Sequence, residues 1–167
     1  AKLSIIAKAV LSAPRIYIFA KGESYLAGCI FRNNLLKLDR HVTMADDGGL
    51  QTLHVKNGRP GDLFLFLSYS GIHYDYSKYA AALSERGIKP CLITAFSDSA
   101  LARQCDTVLL IPKSERVIGK VANYSSMISL TYTLQVIYSL IFNQDYQENY
   151  RVKHEADSFI FTSFAEI

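Results

Sequence analysis

The sequence has no tryptophan, two methionines and three cysteines among its 167 residues. The cysteines, Cys29, Cys91 and Cys105, are odd in number and lack a Cys-x-x-Cys spacing, which argues against a disulfide framework and a zinc site. They are typical of reduced, buried thiols in a cytoplasmic protein. The four histidines also lack ligand spacing, so no metal site and no cofactor are expected.

Charge is scarce as well. Charged residues make up 20% of the chain, the net charge is +3, and no dense basic run occurs, so nucleic-acid binding by this chain alone is not expected. No apolar run approaches the length of a membrane span, and no membrane partner is expected. Half of the residues are hydrophobic, which is enough for the core of one globular domain over residues 1–167.

Apolar runs alternate with amphipathic stretches along the chain. The predicted strands are 15–19, 41–45, 62–67, 90–95 and 107–111. The predicted helices are a lead-in helix at 3–11, followed by 25–37, 48–55, 75–86, 99–104 and a long last helix at 121–142. The predicted strands 62–67 and 107–111 are almost entirely apolar, as expected when helices cover both faces of a parallel sheet. The pattern predicts an α/β three-layer αβα sandwich with one five-stranded parallel sheet.

Two short hydroxyl-containing turns follow the first and third strands. The first is Ala20-Lys21-Gly22-Glu23-Ser24, and the second is Ser68-Tyr69-Ser70-Gly71-Ile72-His73. Each turn leads into a predicted helix, whose first backbone N–H groups are unpaired and whose dipole favours an anion. In a sheet of order 2-1-3-4-5, strands one and three are neighbours at the point where the winding reverses. The two turns would then face one crevice, which suggests a site for a phosphorylated small molecule.

These segments resemble the SIS (sugar isomerase) domain, and more narrowly the C-terminal effector domain of RpiR-family bacterial transcriptional regulators. The first turn is similar to the family's Gly-x-Gly-x-Ser, and the second to its Ser-x-Ser-Gly-x-Thr. The stretch Leu92-Ile93-Thr94-Ala95, followed by Ser99-Ala100-Leu101-Ala102 and Asp106, also resembles the family, as does Ser125-Ser126. Two residues depart from the pattern: Ala20 replaces a glycine, and His73 replaces a threonine.

The resemblance implies a flavodoxin-like strand order 2-1-3-4-5 and a phosphosugar-binding, effector-sensing role without catalysis. The expected ligand is a sugar phosphate or an amino-sugar phosphate. Its expected binding residues are Gly22, Glu23, Ser24, Ser68, Tyr69, Ser70, Gly71, His73 and Glu115. DNA would be bound through an N-terminal helix-turn-helix domain outside this sequence, because the chain begins without Met and its first helix lacks a start cap. The apolar last helix and the habit of SIS domains to pair imply a homodimer or higher oligomer.

Other interpretations remain open for the same residues. Ser24 could be a helix cap, and Ser68 and Ser70 could satisfy backbone groups of a tight turn. His73 is a phosphate ligand, a loop residue or a catalytic base, and Glu115 contacts sugar hydroxyls or is solvated. Tyr124, Tyr132 and Tyr138 would pack in the core or in a dimer seam. The competing functions are a sugar-phosphate isomerase or related lyase, which needs a paired acid and base, and a dimerisation domain with a vestigial pocket.

Overall fold

The computed structural model describes the chain from Lys2 to Phe164, with the side chains of residues 163 and 164 excepted. Five parallel strands form one sheet: β1 (Ile16–Ala20), β2 (Val42–Ala45), β3 (Leu63–Leu67), β4 (Cys91–Thr94) and β5 (Thr107–Leu110). Six α-helices surround it: α1 (Lys2–Ser12), α2 (Glu23–Leu36), α3 (Gly48–Asn57), α4 (Tyr74–Glu85), α5 (Tyr124–Gln144) and α6 (Tyr146–Phe164). A 3₁₀ turn, Ala102–Gln104, precedes β5.

The sheet has the order β2-β1-β3-β4-β5, which confirms the predicted order and fold class. β1 pairs directly with β3, from Ile16 beside Leu63 to Ala20 beside Leu67. Every residue of β3 is buried, as its apolar run predicts, because helices cover both faces of the sheet there, and every residue of β1 is buried as well. The same expectation was wrong for β5, which lies at the edge of the sheet and is only half-buried or exposed. The direct pairing brings the ends of these two strands to adjacent positions at the carboxyl edge of the sheet.

Two apolar layers lie on opposite faces of the sheet. One contains Ile18, Leu65 and Ile93 and is covered by α1, α2 and α5. The other contains Phe19, Phe66 and Leu92 and is covered by α3 and α4. The helix α5 contributes Leu130, Leu134, Ile137 and Ile141 to the first layer, so it is a core helix of the domain.

The end of the chain differs from the prediction. The helix predicted at 121–142 begins only at Tyr124, and a further helix, α6, follows it after a break at Asp145. The residue pattern did not predict α6, because the first three turns of this helix are mostly polar and form no apolar stripe. The sequence feature that does indicate α6 is the spacing of opposite charges three or four residues apart. Arg151 pairs with Glu148 and Glu155, and Lys153 pairs with Asp157. The predicted helix at 99–104 is likewise only the short 3₁₀ turn.

Several smaller expectations are also corrected. All three cysteines are free, but only Cys91 is buried, whereas Cys29 and Cys105 are half-buried. Of the three tyrosines expected in the core or in a dimer seam, Tyr138 packs against the core, whereas Tyr124 and Tyr132 are exposed on α5, which leaves only the dimer seam open for them. Among the described residues one helix, α5, is long and apolar enough to cross a membrane by length and composition alone. The expectation that no segment approaches such a length was therefore too strong, although a buried core helix passes the same test.

Candidate functional site

A cavity of about 220 Å³ opens at the carboxyl edge of the sheet, between the starts of α2, α4 and α5. Four pieces of chain form its wall: the turn after β1, the turn after β3, the first turns of α5, and residues 112–123, which we call the strap. The residues that line the cavity are Lys21, Glu23, Ser24, Ser68, Tyr69, Ser70, Ile72, His73, Val117, Lys120, Asn123, Ser126, Met127 and Leu130. The two turns therefore face one crevice, as the strand order predicts.

The turn after β1 leaves its hydroxyl group unused. Gly22, with φ of 57°, is the residue that precedes α2, and no side chain caps this helix. Ser24 is therefore not the helix cap, and its Oγ makes no hydrogen bond to another residue between 2 and 164. The Tyr25 N–H donates to the Gly22 carbonyl at 3.1 Å, and the two N–H groups before it lack a carbonyl partner one turn back, as at any helix start. This turn can donate to an anion without first breaking an internal bond.

The turn after β3 is fixed by internal hydrogen bonds. The buried Ser68 accepts a hydrogen bond from the N–H of Gly71 at 3.1 Å, and Thr94 Oγ1 donates to the carbonyl of Tyr69 at 2.9 Å. Gly71 has φ of +64°, and a Cβ there would lie 2.2 Å from Ser99 Oγ, so only glycine fits. Ser70 is half-buried at the cavity wall and makes no hydrogen bond within the described chain. Ser68 thus builds the turn, whereas the Ser70 hydroxyl has no partner within the described chain.

His73 precedes α4 and faces the cavity beside a lysine from the other turn. Its ring meets the ring of Tyr76 at 5.4 Å, and Lys21 Nζ lies 5.1 Å from the centroid of the same tyrosine ring. Lys21 also lies 3.8 Å from the carboxylate of Asp75. Burial lowers the pKa of His73, and the Lys21 charge lowers it further against a smaller opposite effect of Asp75. The imidazole is consequently neutral at pH 7 in the free protein.

Glu115 anchors the strap to α5. Its carboxylate oxygens accept hydrogen bonds from the backbone N–H of Ser126 at 2.9 Å and from the Ser126 hydroxyl at 2.7 Å. Lys120 Nζ lies 3.5 Å from the same carboxylate. The hydroxyl of Tyr69 accepts from the Glu115 N–H at 2.8 Å and donates to the Glu115 carbonyl at 3.1 Å. One residue thereby joins the strap, the turn after β3 and the start of α5.

The same contacts set the ionisation of Glu115. Burial on its own raises the pKa of Glu115, but the hydrogen bonds from Ser126 and the charge of Lys120 outweigh that effect. The pKa of Glu115 therefore lies below its ordinary value, and the residue is ionised at neutral pH. A carboxylate at the first turn of a helix is also favoured by the helix dipole.

Six of the nine predicted site residues line the cavity: Glu23, Ser24, Ser68, Tyr69, Ser70 and His73. Gly22, Gly71 and Glu115 lie behind the wall and shape it through backbone conformation or through contacts to other residues. Lys120, Asn123, Met127 and Leu130 also line the cavity, although no residue pattern assigned them to the site. The only sequence signal for this wall was Ser125-Ser126 at the start of the long helix.

Residues 10–141 match the SIS domain family, and the chain belongs to that family. Among curated proteins, it is 30% identical over 143 residues to the glutamine–fructose-6-phosphate aminotransferase (isomerizing) of Bacillus licheniformis, covering 81% of this chain and 23% of the relative. A protein of the same description from Halalkalibacterium halodurans is 35% identical over 107 residues, 62% of this chain. The chain spans only 17% to 23% of the length of these two relatives.

Two solved structures share the fold. The Vibrio vulnificus NanR protein complexed with ManNAc-6P superposes with a TM-score of 0.84 at 20% identity, covering 95% of this chain and 60% of NanR. The sugar isomerase domain of an RpiR transcription factor from Sphaerobacter thermophilus gives 0.80 at 22% identity, covering 94% of this chain and 86% of that one. At these identities the likeness establishes the fold.

Replacing Glu115 with glutamine should loosen the strap. Glutamine keeps the shape but removes the charge that strengthens the bonds to Ser126 and attracts Lys120. We expect protection of the amides of residues 116–126 against hydrogen exchange to fall several-fold, while protection of the sheet stays unchanged. Glu85→Gln, the same change at the far end of α4, is the control.

Acid should produce the same loosening in the parent protein. The pKa of Glu115 is lowered in the folded chain, so its contribution is present at neutral pH and is lost as pH falls through that lowered pKa. Exchange protection in the strap, corrected for the intrinsic pH dependence of exchange, should fall in the parent and change little in Glu115→Gln. A strap equally protected in both proteins across this range would show that Glu115 does not anchor it.

Proposed function

We propose that this chain is the phosphosugar-binding, effector-sensing domain of an RpiR-type transcriptional regulator of carbohydrate metabolism. The observation that carries the proposal is the meeting of two helix starts and two unused hydroxyl groups, Ser24 and Ser70, at one cavity. The hydroxyl and backbone N–H groups of such a cradle donate hydrogen bonds to a phosphate, and the two helix dipoles add positive potential. The fold likeness to an RpiR transcription factor and to NanR, the latter complexed with ManNAc-6P, supports the regulatory role.

In this proposal the phosphate lies between the starts of α2 and α4. Ser24, Ser70 and His73 donate to it, together with free backbone N–H groups, while Gly22 and Gly71 let the backbone approach closely. The sugar then extends toward Tyr69 and the strap. Glu115 acts by fixing the strap and Lys120, so its role is to position other groups near the sugar hydroxyls.

A thermal-shift panel of sugar phosphates, each paired with its unphosphorylated sugar, tests the proposed ligand class. A ligand at a hundred times its dissociation constant should stabilise the protein by about 2.7 kcal/mol. The unphosphorylated partners should give no comparable shift, because they lack the group that the two turns hold. A panel in which no sugar phosphate stabilises the protein would contradict the proposal.

A sugar-phosphate isomerase or related SIS enzyme is the second candidate function. The aminotransferase relatives favour it, and the cavity does contain both a carboxylate, Glu23, and an imidazole, His73. Against it, the Glu115 carboxylate is engaged by Ser126 and Lys120 and does not line the cavity. The two functions separate in deuterated water: an isomerase exchanges the proton beside the sugar carbonyl, and a sensor leaves the bound sugar unchanged.

The regulatory proposal includes two partners. DNA would be bound by a helix-turn-helix domain N-terminal to this chain, and the domain would form a homodimer or higher oligomer. Leu130, Leu134, Ile137 and Ile141 of α5 are buried by the chain itself, so these residues do not require a partner chain. The expected oligomer is supported by large apolar side chains that are exposed on two helices: Ile128 and Tyr132 on α5, and Phe159 and Phe161 on α6.

Light scattering over a range of protein concentrations tests the assembly. We expect a mass of at least two chains, which Ile128→Lys together with Tyr132→Lys should reduce to one chain by placing charge on the exposed stripe of α5. A monomer at all concentrations in the parent protein would contradict the expected oligomer.

Replacing Ser70 with alanine should weaken sugar phosphate binding by roughly 1.5–3 kcal/mol, the range for a hydrogen bond to a charged group. Stability should stay nearly unchanged, since Ser70 makes no hydrogen bond within the described chain. Ser68→Ala is the matched contrast: it leaves the Gly71 N–H without its partner and should lower the free energy of unfolding by about 1–3 kcal/mol. Calorimetric titration and urea unfolding measure the two effects, and equal affinity in Ser70→Ala and parent would remove Ser70 from the site.

Binding should also depend on pH through His73. Its pKa is lowered in the free protein, and a bound phosphate should raise it, because the charged ring donates two hydrogen bonds and attracts the anion. Affinity should therefore increase as pH falls from about 8 toward 6, until the second ionisation of the phosphate near pH 6 offsets it. His73→Thr and His73→Ala should both flatten this part of the profile, with weaker binding in the alanine variant. Three parallel profiles would place His73 outside the phosphate site.

A further inference from the structure

The two ends of the cavity have different electrostatic character. The end formed by Lys21, Ser24, Ser70 and His73 offers donors and one lysine charge. Where the first residue of α2 approaches the strap, the carboxylate of Glu23 and the amine of Lys120 line the cavity, and the carboxylate of Glu115 lies behind this acidic wall. A ligand that spans the cavity meets an anion-binding cradle on one side and an acidic wall on the other.

The lysine of the acidic wall is already neutralised. Lys120 Nζ lies 3.5 Å from a Glu115 oxygen, and it lies 5.4 Å from the centroid of the Tyr69 ring. Both side chains of this ion pair are largely removed from solvent, with 26% of Lys120 and 10% of Glu115 exposed. The pair therefore holds its geometry and adds little net charge to the cavity.

Glu23 is the charged residue of this wall that lies outside the Lys120–Glu115 ion pair. It lines the cavity as the first residue of α2, and within residues 2–164 no lysine, arginine or histidine forms an ion pair with it. The amide of Asn123 lowers the pKa of Glu23, and the nearby charge of Lys120 lowers it further against a smaller opposite effect of Glu115, so this carboxylate is ionised at neutral pH. The three charged groups of this wall together carry one negative charge, which faces the space beyond the phosphate cradle.

We propose that the cavity selects a sugar phosphate that carries a free, protonated amine, with Glu23 as the residue that recognises the ammonium group. The proposal rests on the proposed function and narrows it to one class of effector. A neutral hydroxyl or an acetylated amine at the same carbon would leave the Glu23 carboxylate without a counter-charge. The binding pocket distinguishes these groups by charge, since an amine and a hydroxyl occupy almost the same volume.

The test compares pairs of ligands that differ only in this group. Glucosamine 6-phosphate, glucose 6-phosphate and N-acetylglucosamine 6-phosphate are titrated by calorimetry at pH 7, together with the corresponding manno-configured compounds. We expect the parent protein to bind an amine form about tenfold more tightly than its hydroxyl and acetylated counterparts, the effect of one hydrogen bond to a charged group.

Glu23→Gln should remove this preference, so that the amine, hydroxyl and acetylated forms bind with similar affinities, because glutamine keeps the size but loses the charge. Glu85→Gln removes an equal charge from an exposed site at the end of α4 and should keep the full preference. Thermal melting in the absence of ligand checks that both variants are folded.

The outcomes separate the two proposals. If none of the sugar phosphates binds, the proposed function fails and the selection fails with it. If sugar phosphates bind but the parent shows no preference for the amine, or if the preference survives unchanged in Glu23→Gln, the proposed function stands and the selection by Glu23 is wrong. Tighter binding of the acetylated or neutral forms would also overturn it.

Discussion

The direct parallel pairing of β1 with β3 is the constraint on which the site depends. Because the chain crosses from β2 back over β1 to reach β3, the two strands end side by side, from Ala20 to Leu67. Their following helices, α2 and α4, therefore begin next to each other with their N–H groups toward one crevice. A different strand order would leave the same two turns on separate parts of the surface, where neither could complete a phosphate cradle.

Local signals were sufficient to predict this part of the molecule. The strands are short apolar runs followed by small residues, and the turn sequences themselves specify the conformations found at Gly22 and Gly71. The order of the strands came from the resemblance to a family and from the rule that ligands bind at the switch point. The alternatives for Ser24 and Ser68 could be decided only in three dimensions: Ser24 is not a cap, whereas Ser68 does satisfy the backbone of its turn.

The strap and the end of the chain were predicted poorly, because their structure depends on contacts between distant residues. Glu115 fixes the first turn of α5 eleven positions later, so the start of α5 at Tyr124 could not be read from the residues around it. The same contact brings Lys120 and Asn123 to the cavity, although neither belongs to a recognisable motif. α6 was missed for another reason, since charge pairs along a polar helix are a weaker signal than an apolar stripe.

The wall of the cavity includes two different parts: the two turns that follow β1 and β3, and the strap, which only a few contacts hold in place. The two turns follow buried strands, and hydroxyl and backbone bonds fix the turn after β3, so the proposed phosphate cradle is largely formed without a ligand. The strap has no regular structure, exposes Ile118 and Val121 to solvent, and is held mainly through Glu115 and Tyr69. Rigid donors suit the phosphate, which every member of the proposed ligand class shares. Under the proposed function, the groups that distinguish one sugar from another would then lie on the strap and at the start of α2, where Glu23, Lys120 and Asn123 line the cavity.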